Sequence, residues 1–249
     1  MTVSSDQESD EDKQATEHPT ELDCPSSEEE LYYTLEPDCD DLRPICQGDV
    51  FRDLCLPGFD DDHDLVMVIG HPCSLRAGPK LRPRLQAVAV RPYQRVPIEN
   101  WGNSHPKVFP LPLLPLSKHH AAELSYPGIV TPAQISLDKR IATLSAPAIL
   151  LLQQRIVWTS AHAIVKLDTF EDFNAGVLTE LELLEFWNEQ LCDELEGEER
   201  AAALLATAKE FDDYLKKAKL HQELEEPERR GEARARIRAE ALRRREEPA

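Results

Sequence analysis

Two residues at the end of a short apolar run have the chemistry to act together. Cys73 carries a nucleophilic sulfur, and His71 carries an imidazole that titrates near neutral pH. They lie in the segment Val66-Met67-Val68-Ile69-Gly70-His71-Pro72-Cys73-Ser74-Leu75-Arg76. A turn after a buried strand is a place where reactive side chains are often presented. Thiol catalysis also needs something to lower the thiol pKa, such as a helix start or a neighbouring base. Residues two apart at a strand end need not meet, and no such base is evident from the sequence. The expectation is therefore structural: Cys73 is packed inside and closes the strand, with Pro72 setting the turn. Thiol chemistry at Cys73, with His71, stands as an alternative.

A metal site would have to recruit from Cys39, Cys46, Cys55, His63, His71 and Cys73. Structural zinc is usually held by two close ligand pairs, because a short knuckle fixes two thiolates at tetrahedral separation. Only His71-x-Cys73 is close, so no metal and no cofactor is expected. The acidic run Asp60–Asp64 lacks the alternating ligands and the glycine of a calcium loop, and reads as a solvated turn.

A basic block follows the cysteine. Arg76, Lys80, Arg82, Arg84, Arg91 and Arg95 have no acid between them, and Gly78, Pro79, Pro83 and Pro92 keep the stretch extended. Such a stripe can contact phosphates, with Tyr93 and Trp101 following it for stacking on single strands. The favoured reading is that it pairs with a protein partner or with the chain's own acidic ends. A second basic run, Arg229, Arg230, Arg234, Arg236, Arg238 and Arg243–Arg245, follows an acidic stretch, 175–228, with 16 acids and five bases. Opposed blocks of this kind predict an antiparallel helix pair or self-association, with a nucleic-acid arm as the rival.

The elements that must position these residues are legible in outline. The 249 residues carry a net charge of −19, unevenly placed. Residues 1–47 hold 15 acids against Lys13 and Arg43, residues 48–174 are near balance at +1, and residues 175–249 carry −7. The acidity therefore belongs to the ends. The first 30 residues have almost no large apolar side chain and predict disorder. Leu31–Leu35 is an apolar island that reads as a strand, or as a motif docking on a partner or on the chain itself. Val50–Leu56, Leu65–Ile69, Leu85–Val90, Lys107–Leu111, Gly128–Val130, Gln134–Leu137 and Ile141–Leu144 read as short strands. Helices follow over Ala148–Ile164, Gly176–Leu195, Glu199–Leu220 and Glu232–Glu246. Leu204, Ala208, Phe211, Leu215 and Ala218 recur at 4-3-4-3 spacing, the seam of a short coiled coil, which makes Leu204, Phe211 and Leu215 candidates for self-association through 199–220.

The fold class expected is α+β. Residues 1–47 form a disordered acidic tail, 48–144 a β domain, 145–220 a helical region and 221–249 a charged helical tail. The longest apolar stretch, Ala146–Leu152, is far short of the ~20 residues of a membrane helix. With no signal segment and no CxxC pair, a cytoplasmic chain with reduced thiols is expected. No P-loop, GxGxxG, HExxH, GxSxG or kinase signature occurs.

Two resemblances bear on this. The order Gly48-Asp49-Val50-Phe51, a turn, Val66–Ile69 and then a basic strand-rich segment resembles the SH3-like barrel of the PemK/MazF growth-inhibition toxins, which are ribonucleases. It implies an SH3-like barrel over 48–144. The catalytic arginine of that family precedes its second apolar strand, where this chain has Phe59–Asp64, so ribonuclease activity does not carry over. Ile69–Cys73, Leu151–Arg155 and Leu183–Asn188 are also similar to a pattern in uncharacterised proteins of high-GC bacteria, which implies a bacterial or phage context. The function expected from the sequence is a non-enzymatic interaction protein with a protein partner, an accessory of a toxin–antitoxin or phage-defence system. The alternatives are a nucleic-acid-binding or ribonuclease module using the basic stripe, and a thiol enzyme using Cys73.

Overall fold

The computed structural model describes residues 19–57, 65–102, 104–115 and 119–246. The disorder expected for residues 1–18, the Asp60–Asp64 turn and His63 lie outside them. The fold is α+β: a curled antiparallel half-barrel sheet followed by a helical region.

Strands β1 (Tyr32–Leu35), β2 (Val50–Arg52) and β3 (Leu65–Val68) lead into a one-turn helix, α1 (Pro72–Leu75). A small hairpin follows, β4 (Arg76–Ala77) with β5 (Lys80–Leu81). Then come β6 (Leu85–Pro92), β7 (Val108–Leu111), β8 (His120–Glu123), β9 (Gly128–Val130) and β10 (Arg140–Leu144). The main sheet runs β1-β10-β2-β3-β6-β8-β7, and β9 pairs with the start of β6. β6 organises it. Its first half pairs with β9 and β3, and its last three residues pair with β8.

The sheet is buried on both faces, and the period of two along its strands sorts the side chains. Val50, Met67, Val88 and Val90 enter one core with Trp101, Phe109, Ile149 and Leu152. Their neighbours Phe51, Val66, Val68, Ala87 and Ala89 enter the other with Leu54, Leu56, Leu75 and Leu85. This two-sided burial explains why β3 reads as a continuous apolar run rather than an alternating one.

Several expectations are corrected by local physics. Gln134–Leu137 is no strand: Pro132 and a reciprocal cap between Thr131 and Gln134 close one 3-10 turn, and Leu137–Lys139 forms another. β8 has no sequence signature because its core is Ala121-Ala122, without β-branched residues. Residues 19–47 are built into the fold. β1 pairs with β10, and Leu22, Leu31, Leu42, Ile45 and Cys46 are buried.

The helices are α2 (Ala146–Ala161), α3 (Leu167–Cys192), α4 (Gly197–Ala218), α5 (Leu220–Glu225) and α6 (Pro227–Glu246). Ser145 caps α2 by accepting from the Ala148 N–H, with a proline in the first turn. Helices α3 to α6 enclose a third core of Leu183, Leu184, Trp187, Ala208, Phe211, Leu215, Leu220, Leu224, Ala233, Ile237 and Ala241. The charged tail thus has an apolar stripe, three buried residues four apart, whose two alanines let α6 approach closely. Its arginines meet acids of the same chain: Arg234 and Arg238 reach Glu182, Arg229 and Arg236 reach Glu223, and Arg244 reaches Glu210. Arg234 and Arg238 lie by Glu182 and Arg245 by Gln190, so α6 runs parallel to α3. The opposed charge blocks are therefore joined within one bundle.

Candidate active site

The site forms where β3 ends. The Ile69 and Gly70 N–H groups both donate to the Gln86 carbonyl, at 2.9 and 3.3 Å, which pins the strand end. A Cβ at Gly70 would lie 2.8 Å from Leu75 Cδ2, so any larger residue there would push the buried Leu75 side chain aside. Pro72 then opens α1, and the Ser74 N–H and hydroxyl both donate to the His71 carbonyl at 2.8 Å. His71 is the N-cap of this turn. Its Nδ1 accepts from the Cys73 N–H at 3.4 Å and lies 2.8 Å from Cys73 Sγ. An N-cap side chain folds back over the second residue of the turn, so the imidazole meets a residue two positions on.

This corrects two expectations. Cys73 is exposed rather than packed inside, and it has a base against it. Nδ1 accepts the Cys73 N–H, which places the ring proton on Nε2, and the same nitrogen lies within hydrogen-bond reach of the thiol. Burial holds the His71 pKa below its usual value, which favours neutral imidazole, while the Asn174 side chain acts in the opposite direction.

Asn174, on α3, is itself held in a buried amide network. Gln153 donates to Asn174 Oδ1 at 3.0 Å and Asn174 donates back to Gln153 Oε1 at 2.8 Å. Gln153 also donates to Gln47 Oε1 at 2.7 Å, and Gln47 donates to the Ile69 carbonyl at 2.7 Å. The last Asn174 proton goes to the Phe170 carbonyl at 2.6 Å. Every amide proton of the Gln153–Asn174 pair is thus used, and the chain of bonds joins α2 and α3 to the strand end that carries His71. Gln47, Gln153 and Asn174 were not candidates by sequence. The available signal was the run Gln153-Gln154-Arg155 inside an apolar helix. Three successive polar residues sweep most of the way round a helix, so some had to be buried. All three are.

Cys73 opens onto a cleft of about 390 Å³ between the sheet side and the helices. Pro72, Cys73, Arg76 and Gly78 form one wall, and Gly176, Glu180, Asp212, Lys216, His221 and Glu225 belong to the other. Most of these charges are committed. Lys216 pairs with Asp212 at 2.5 Å, and His221 Nδ1 with Glu180 at 3.1 Å.

The other predicted residues are dispersed. Arg91 pairs with Glu123 at 3.1 Å and Arg95 with Glu28 at 3.4 Å, while Lys80, Arg82 and Arg84 are exposed and form no ion pair among the described residues. Cys46 is buried, and its thiol is pushed up to about 12, mainly by desolvation. Cys39 meets Thr34, and Cys55 is exposed. Among the described residues no group of three His, Cys, Asp or Glu side chains could hold a metal ion. Phe211 and Leu215 are buried in the helical core, while Leu204 lines a separate groove with Leu205, Leu81 and Leu137. No described helix is long and apolar enough to cross a membrane.

Comparison with known proteins finds no matching family model and no matching curated protein.

Proposed function

We propose that this protein acts through covalent thiol chemistry at Cys73, with His71 as general base and Asn174 as the residue that orients it. The observation that carries this reading is the 2.8 Å separation between His71 Nδ1 and Cys73 Sγ, with the same nitrogen accepting the Cys73 N–H. The sequence alone favours a non-enzymatic interaction protein because it hides the base. A nucleophile, a base in hydrogen-bond reach and a third group holding the base are the parts that nucleophilic catalysis requires. In an acyl transfer, Nδ1 takes the thiol proton as sulfur bonds to the acyl carbon. The bond to the leaving group then breaks, and that group departs with the electron pair and the proton from the imidazolium. Water releases the acyl group in a second step.

The frame that carries this site is read as a small SH3-like barrel, in which β2, β3 and β6 hold the cysteine turn. The buried ion pair between Asp49, just before β2, and Arg140 on the neighbouring β10, together with the fully buried β3, supports that reading.

Incubation with p-nitrophenyl acetate tests the proposal. Acetyl transfer to Cys73, located by peptide mass spectrometry, should outpace transfer to the exposed Cys24 and Cys55 and collapse in His71→Gln. Equal acetylation of the three cysteines would remove the argument for catalysis.

A second reading has its own observation. Lys80, Arg82 and Arg84 present three uncompensated charges on and just after the β4–β5 hairpin, which suits a nucleic-acid backbone or an acidic protein partner. Salt-sensitive RNA binding lost in Arg82→Ala/Arg84→Ala supports the nucleic-acid form, and unaltered binding excludes those residues.

A further inference from the structure

Arg76 differs from the other basic side chains of the Cys73 cleft. Lys216 is matched by Asp212, and the imidazole of His221 by Glu180 at 3.1 Å and by Asp212 at 3.9 Å. Glu225 stands at the exposed edge. Arg76 is half-buried, forms no ion pair among the described residues, and makes one long hydrogen bond, from Nη1 to the Pro79 carbonyl at 3.4 Å. It lies at the start of β4, directly after the turn that presents Cys73, and both line the same cleft.

A guanidinium offers five N–H donors in a planar fork, and a carboxylate fits two of them at once. A half-buried cation with no carboxylate in ion-pair range has lost hydration that one long hydrogen bond replaces only in part. Desolvation is also the leading influence on Arg76 and lowers its pKa, although Asp49 and Glu180 act on it from a distance in the opposite sense. An incoming anion would complete the site.

We propose that the substrate of the Cys73 site carries a carboxylate, which Arg76 binds while the electrophilic carbon faces the thiol. This assignment rests on the thiol reading above and adds the substrate class to it. Arg76 is then a specificity residue: it holds the anionic end of the substrate and takes no part in moving the proton.

Two alkylating reagents of the same size test it. Iodoacetate carries the carboxylate and iodoacetamide replaces it with a neutral amide. In both, sulfur bonds to the methylene carbon, iodide leaves with the electron pair, and His71 takes the thiol proton. Labelling is followed cysteine by cysteine, with the exposed Cys24 and Cys55 as internal references. The iodoacetate-to-iodoacetamide rate ratio at Cys73 should exceed the ratio at the two references by about tenfold, the scale of one charge-assisted contact. Arg76→Gln should bring it down to theirs, and Arg76→Lys should retain part of it. In the wild-type protein, where folding is not in question, added acetate should slow labelling of Cys73 by iodoacetamide and leave Cys24 and Cys55 unaffected.

Fast labelling of Cys73 by both reagents with no preference, and no competition by acetate, would overturn the carboxylate assignment while leaving the thiol reading in place. Labelling of Cys73 no faster than Cys24 and Cys55 by either reagent would overturn both.

Discussion

Gln153 and Asn174 exchange hydrogen bonds in both directions, at 3.0 and 2.8 Å, and so lock α2 to α3 at a point where neither side chain meets water. Through Gln47 the pair also reaches the strand end that carries His71, and the Asn174 side chain raises the His71 pKa against the effect of burial. Stability and the proposed chemistry therefore share a residue. Asn174→Ala should cost about 1–3 kcal/mol in urea unfolding, since it leaves Gln153 with unmet buried groups. It should also slow Cys73 alkylation relative to Cys24. A variant that unfolds earlier yet keeps full Cys73 reactivity would show that Asn174 supports the fold alone.

Protonation of His71 should be visible in stability. Burial disfavours the imidazolium in the native state, whereas the unfolded chain keeps an ordinary histidine pKa of about 6.5. Above that pH both states are neutral at this site and it contributes nothing. As pH falls through it, the unfolded state takes up the proton first, so native stability declines. His71→Gln should make the urea midpoint less sensitive to pH between neutrality and mild acid. An unchanged slope would mean that the imidazole is free to protonate in place.

Arg140 and Asp49 form an ion pair at 3.0 Å with both side chains removed from solvent. Asp49 also accepts from the Cys46 N–H at 3.0 Å, and Arg140 donates to the Arg43 carbonyl at 2.9 Å. Arg140→Met should destabilise by about 3–5 kcal/mol, because it strands a buried carboxylate. The double variant Asp49→Leu/Arg140→Met should recover part of that loss. A double variant no better than the single one would show that packing, rather than the stranded charge, sets the cost.

Phe211 is buried against Trp187, with ring centroids 5.4 Å apart. Phe211→Ala should cost about 3–5 kcal/mol and loosen the bundle that α6 completes. If the 4-3-4-3 seam instead joined two chains, the same change would lower the mass measured by size exclusion. Stability should fall at constant mass.

Much of the frame is legible in the sequence. Val66-Met67-Val68 announces a buried strand because β-branched and apolar side chains suit a sheet covered on both faces. Gly48 marks a real constraint: its φ is +91°, and a Cβ there would lie 2.7 Å from Leu144. The site is less legible, for a specific reason. Reading His71-Pro72-Cys73 as a strand end places the cysteine inside and separates it from the histidine. Folding the same three residues as an N-cap and the first two positions of a helical turn exposes the thiol and brings the imidazole over it. Proline suits both, so composition does not choose between them. Asn174 is farther from view, since 100 residues separate it from the cysteine turn and only the packing of α3 on α2 brings it there.

The pairing of His71 with Cys73 is the central claim, and the pH dependence of Cys73 alkylation by iodoacetamide tests it most directly. The account predicts that labelling of Cys73 stays rapid well below about pH 8.5, the pKa of a free thiol, and falls only as His71 protonates. His71→Gln should return the profile to that of Cys24 and Cys55, with a loss of up to about thirtyfold at pH 7, the fraction by which a free thiol is under-ionised there. A wild-type profile that already matches those of the two reference cysteines, unchanged in His71→Gln, would contradict the account.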